Sequence, residues 1–133
     1  MFDPVLNVLP AFAMYFAVAI AILAVFLSVY ALITPYNELT LIREGNTAAA
    51  ASLSGTLIGI AMPVATAIVS SHNIYAMLAW GLVACVVQLL VFVVARVAMP
   101  TLVACVPAGK VSVGIFLAAL SIGVGIINAA SIL

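Results

Sequence analysis

Charge is nearly missing from this chain. Lysine and arginine together number 3 and aspartate and glutamate 3, so 5% of residues are charged, against about 25% in soluble domains. A water-soluble fold would have too little polar surface. The net charge is zero, which leaves nucleic-acid binding without an electrostatic basis. Cysteine is scarce: Cys85 and Cys105 stand far apart and form no CxxC, which argues against a disulfide or a metal pair. No Asp or Glu falls within any long apolar run. Carriers driven by protons place carboxylates there, so the class of the four-span small multidrug resistance transporters is disfavoured. HExxH and GxSxG are absent, and Ser54 has no neighbouring base to activate it. His72 has no second ligand for a haem. The chain is therefore not expected to be an enzyme, and no catalytic residue, metal ligand or cofactor is predicted.

What is abundant is apolar. Hydrophobic residues make up 69% of the sequence, in four runs: 11–33, 47–71, 75–99 and 111–133. Each is at least as long as the roughly 20 residues that cross a bilayer, and together they leave no room for a soluble domain. The first run is expected to be retained rather than cleaved. It follows Asp3 instead of a basic segment, and it is longer than a signal-peptide core. The cations fix an orientation. Arg43, Arg96 and Lys110 flank the segments 34–46 and 100–110, which the positive-inside rule assigns to the cytoplasm. Both termini and the turn at Ser71-His72-Asn73 are then periplasmic. Tyr30 and Tyr36 at the inner boundary, with Tyr75 and Trp80 near the outer one, read as interfacial aromatic belts.

The inner segments carry their own pattern. Thr34-Pro35 has the form of an N-cap followed by proline at the first helical position. Leu39 and Ile42 lie on one side of the segment that follows, while Glu38, Arg43 and Glu44 are polar. Gly45 suits the residue after a helix, and Asn46 can cap the next span. Residues 35–44 thus read as a short amphipathic interfacial helix, and 100–110 resembles it. Pro35 pairs with Pro100, Gly45 with Gly109 and Gly59 with Gly123 at an offset of about 64. The expected fold is all-α: one membrane domain over 1–133, a four-helix bundle built from tandem two-helix repeats, 11–71 and 75–133.

Spans one and three are bulky, whereas two and four are rich in small residues. Ala48, Ser52, Gly55, Gly59, Pro63, Thr66 and Ser70 form one stripe along span two. Gly114, Ala118, Ser121, Gly125 and Asn128 do the same on span four. Small residues let helix backbones approach where lipid offers no hydrophobic drive. Spans two and four are therefore expected inside, with one and three facing lipid. Pro63 opposes the Gly59 carbonyl and lacks an N–H. Ser54, Thr56, Thr66 or a water is expected to serve the freed carbonyl. Gln88 and Asn128 are amides within spans, most simply bonded to another helix. Arg96 is expected to clamp the amphipathic helix through Glu38 or Glu44.

Several collinear segments carry a resemblance. They are Thr34-Pro35-Tyr36-Asn37-Glu38, Gly45-Asn46-Thr47-Ala48-Ala49, Leu53-Ser54-Gly55-Thr56-Leu57-Ile58-Gly59 with Pro63, Gln88-Leu89-Leu90-Val91-Phe92, Arg96, Met99-Pro100 and Asn128-Ala129-Ala130. Over the whole chain these resemble the bacterial inner-membrane family of domain of unknown function 350, the YjfL-like proteins. The resemblance implies a four-helix, two-repeat inner-membrane protein and no mechanism. The family often repeats Asn-Thr-Ala-Ala at the start of span four, where this chain has Lys110-Val111-Ser112-Val113, so an amide cap is not expected there. Two functions follow as expectations. One is an oligomeric structural component that recruits a cytoplasmic protein through 35–44 and 100–110. The alternative is an oligomeric pore or permease for ions or small solutes, lined by the small-residue stripes.

Overall fold

A computed structural model describes residues 3–132. Six helices follow one another: α1 (Asp3–Ile33), α2 (Glu38–Arg43), α3 (Thr47–Ser70), α4 (Ile74–Ala98), α5 (Leu102–Cys105) and α6 (Val111–Ile132). No strand occurs among the described residues. Four helices are long and apolar enough to cross a bilayer: Pro4–Ile33, Thr47–Ser70, Ile74–Ala98 and Val111–Ile132. The first begins earlier than its apolar run suggested. Pro4 sits in the first turn, where a missing N–H costs nothing, and the helix continues through Pro10. Its first side chain placed against the core is Tyr15, and Val5, Leu6, Val8, Leu9 and Phe12 before it are exposed.

The helix at the centre is α3, which touches α1, α2, α4 and α6. Its closest partner is α6, and the small-residue stripes explain why. Gly55 lies against Ala118, Gly114 against Ala48, and Gly125 against Gly59. These pairs advance along both helices together, so the two run parallel. Backbone meets backbone in this seam. The direction in which a Cβ would leave Gly114 points at the Ala48 carbonyl, and that from Gly59 at the Ser121 carbonyl. A glycine hydrogen in that direction makes a Cα–H···O contact, worth about 0.5–1 kcal/mol. Any side chain would force the helices apart.

Three expectations change here. Helix α6 is not interior. Its second face carries exposed Ile115, Phe116, Ile126 and Ile127, and it is less buried than α4. Helix α4 instead buries Met77, Gly81, Ala84, Gln88, Phe92 and Ala95. Gly123, expected to mirror Gly59, has nothing within 4 Å of a would-be Cβ; Gly125, half a turn further on, takes the inward position. The carbonyl freed by Pro63 is likewise served differently. Thr56 donates to Ser52 and Thr66 to Met62, and Ser54 is exposed. The Gly59 carbonyl meets Gly125 of α6 instead, so a Cα–H replaces the missing N–H.

The two short helices stop in the same way. Gly45 N–H donates to Ile42 and Asn46 N–H to Leu41, at 3.0 and 2.9 Å; Gly109 N–H donates to Val106 and Lys110 N–H to Cys105, both at 3.0 Å. This is the paired bonding of a Schellman stop, and it needs a left-handed residue. Gly45 has φ 85° and Gly109 φ 82°. The next residues diverge. Asn46 Oδ1 accepts from Ala49 N–H at 2.9 Å and caps α3, whereas the Lys110 side chain has no acceptor and only its carbonyl receives α6, from Val113 and Gly114 N–H at 3.2 and 3.3 Å.

Candidate functional site

The connection between α1 and α3 does not follow its expected register. Thr34 is not an N-cap; its hydroxyl donates back to the Tyr30 carbonyl at 2.7 Å and closes α1. Pro35 lies in the bend, and Asn37 caps α2 by accepting from Thr40 N–H at 3.1 Å. The short helix is also turned over. Leu39 is exposed, while Leu41 and Ile42 pack on the core with Glu38 beside them. Glu38, expected on the polar face, is 6% exposed.

Neither oxygen of Glu38 has a hydrogen-bond partner, and the buried hydroxyl of Tyr36 has none. The Arg96 clamp is therefore not formed. Arg96 is exposed, because α4 turns that position outward. Burial raises the Glu38 carboxyl from 4.5 to about 7, and the Tyr30 hydroxyl close beside it partly offsets this. Burial, then the charge of Glu38, holds the Tyr36 phenol well above its ordinary value. The carboxylate borders a cavity of about 450 Å³ walled by Leu27, Tyr30, Ala31, Leu39 and Leu53, with Thr34 and Tyr36 as further polar contacts. Tyr30 is no interfacial anchor. It is 3% exposed, with its ring edge-on to Phe92 at 5.4 Å and stacked on Phe26 at 6.1 Å. Tyr75, by contrast, is exposed near the opposite end.

The remaining site residues fall into two groups. Arg43, Glu44 and Thr47 are exposed around Asn46. The Asn46 amide donates to the carbonyls of Val106 and Pro107, at 3.0 and 3.1 Å, and so ties the two connecting loops together. Its three bonds use the side chain on both ends. Away from this end, Gly55 and Gly59 are consumed by the α3–α6 seam, and Pro63 is buried on α3. Gln88 donates to the Ser121 carbonyl at 3.2 Å and Asn128 to the Ala84 carbonyl at 3.4 Å. Both amides thus join α4 to α6, as expected of amides in a bilayer. No group of three or more metal-ligating side chains occurs among the described residues.

Sequence reasoning grouped Glu38 with Arg43 and Glu44 and missed Tyr30 and Tyr36 as its neighbours. The available signal was Glu38 one turn from Leu41 and Ile42, on their side of a helix. A charged residue in that position is expected on the polar face, paired with a cation such as Arg96.

Four spans with tightly packed glycine faces and amide cross-links define a polytopic integral membrane protein. The chain belongs to the family described as Domain of Unknown Function (DUF350), which matches residues 4–132. It is 40% identical over 126 residues to the UPF0719 inner membrane protein YjfL of Escherichia coli (strain K12), covering 95% of this chain and 96% of that one. It is 35% identical over 75 residues to the UPF0719 transmembrane protein YshE of Bacillus subtilis (strain 168), covering 56% of each. No solved structure matches it.

Proposed function

We propose that this protein is a non-catalytic component of an oligomeric inner-membrane assembly and holds a cytoplasmic protein at its basic end. The observation that carries this reading is the Asn46 amide. It fixes the α2 and α5 loops to one another and so presents Arg43, Glu44 and the 107–110 turn as one preformed surface. A preformed surface loses less conformational freedom on binding. The positive-inside rule turns this end to the cytoplasm and the termini to the periplasm. The matching stops at Gly45 and Gly109 support tandem two-helix repeats. The pore reading draws less support, because backbone contact with α6 already occupies the small-residue stripe of α3.

The test is a double charge reversal, Arg43→Glu with Glu44→Lys, compared with the unaltered chain by in-cell crosslinking and purification. A soluble protein is expected to crosslink to the unaltered chain and to be lost from the variant at unchanged thermal stability. A crosslinking pattern that the reversal leaves intact counts against docking. Ion or solute flux through the purified protein in liposomes would move the reading to a pore.

A further inference from the structure

The cavity beside α2 holds an arrangement that the docking reading does not use. A carboxylate that is 6% exposed borders it with both oxygens unpartnered, and a buried tyrosine hydroxyl beside that carboxylate is unpartnered too. Buried polar atoms in folded proteins are nearly always bonded, and exceptions call for an explanation. Packing alone does not supply one here. A leucine in place of Glu38 would continue the face made by Leu41 and Ile42.

The chemistry of the lining specifies the missing partner. Glu38 and Tyr36 line a cavity of about 450 Å³ with no cation among its lining residues, and their oxygens, two carboxylate acceptors and a hydroxyl that can both accept and donate, are withdrawn from solvent without a partner. They call for a donor with positive charge. A divalent metal needs several oxygen ligands of higher total charge, and among the described residues no cluster supplies them. An ammonium group fits: three N–H donors in a compact charge. The unfilled acceptors require N–H groups, so a primary ammonium suits the site and a trimethylated one does not. Beyond the polar side, which Thr34 and Asn37 share, Leu27, Ala31, Leu39 and Leu53 form apolar walls. They suit a carbon chain next to the charge.

We propose that the cavity between the end of α1 and α2 is a binding site for a primary ammonium group carried on an apolar segment, with Glu38 as counter-ion and Tyr36 as second acceptor. Two sources carry this chemistry: the ethanolamine headgroup of a phospholipid, and a free alkylamine. The site is independent of any protein partner at the loop surface.

The experiment is native mass spectrometry of the detergent-purified protein with phosphatidylethanolamine and phosphatidylcholine of identical chains. Calorimetry with hexylamine and hexyltrimethylammonium follows. The expected result is at least a tenfold preference for the primary amine in one of the two pairs, reduced to less than twofold by Glu38→Gln. Tyr36→Phe should leave a smaller preference than the unaltered chain, and it serves as the second test if Glu38→Gln folds poorly. A preference in the lipid pair assigns the headgroup; one confined to hexylamine assigns a free amine. Equal binding within both pairs overturns the site, as does a preference that survives both substitutions.

Discussion

Replacing Glu38 with glutamine should remove most of the dependence of stability on pH. In the folded chain this carboxyl protonates at about 7, against an ordinary 4.5. At about 1.4 kcal/mol for each pH unit, the difference amounts to about 3 kcal/mol. The sign follows from proton uptake. Between pH 4.5 and 7 the folded chain binds more protons than the unfolded one, so stability falls as pH rises. The contribution is complete below about 4.5 and lost above about 7. Glutamine has nearly the same shape and no titration, so its curve should be flat across that window. The assay is denaturant unfolding from pH 4 to 8, followed by Trp80 fluorescence, in nanodiscs of phosphatidylcholine alone. If the unaltered chain and Glu38→Gln lose stability in parallel, Glu38 is not the buried acid described above.

Other substitutions test the seam and the loops. Gly125→Ala should destabilise by about 1–3 kcal/mol through overpacking against Gly59, while Gly123→Ala, in open space, should stay within about 0.5 kcal/mol; equal effects in thermal melts would contradict the seam. Asn46→Ala should cost about 1 kcal/mol for the cap and roughly as much again for each of the two loop bonds. Asn46→Asp keeps the cap and loses the donors, so hydrogen exchange should quicken over 100–110 and stay slow at the start of α3. Gln88→Ala should cost roughly 0.5–2 kcal/mol in denaturant unfolding, and a neutral result would mean that its bond to Ser121 adds nothing.

The four spans were legible because each apolar run is long, and the α3–α6 seam because its small residues recur at helical intervals. Both signals are local. Where two such signals disagree, packing decides: the repeat offset pairs Gly59 with Gly123, the helical stripe of span four runs through Gly125, and it is Gly125 that meets α3. The burial of Glu38 was hidden for a related reason. Thr34-Pro35 and Asn37 are both good starts for a helix, and the choice depended on Thr34 closing α1. Arg96 was drawn toward Glu38 by charge alone, although its position on α4 faces away.

The seam also has a consequence for biosynthesis. Helices α3 and α6 are mutual partners, yet α6 is completed roughly 60 residues after α3 ends. At about 5–20 residues per second, synthesis leaves α3 waiting for several seconds. During that interval its glycine face meets lipid, or whatever accompanies the nascent chain. Assembly of this bundle is therefore necessarily late. A chain interrupted after α5 has inserted three of its four spans and still lacks the contact that holds them in register.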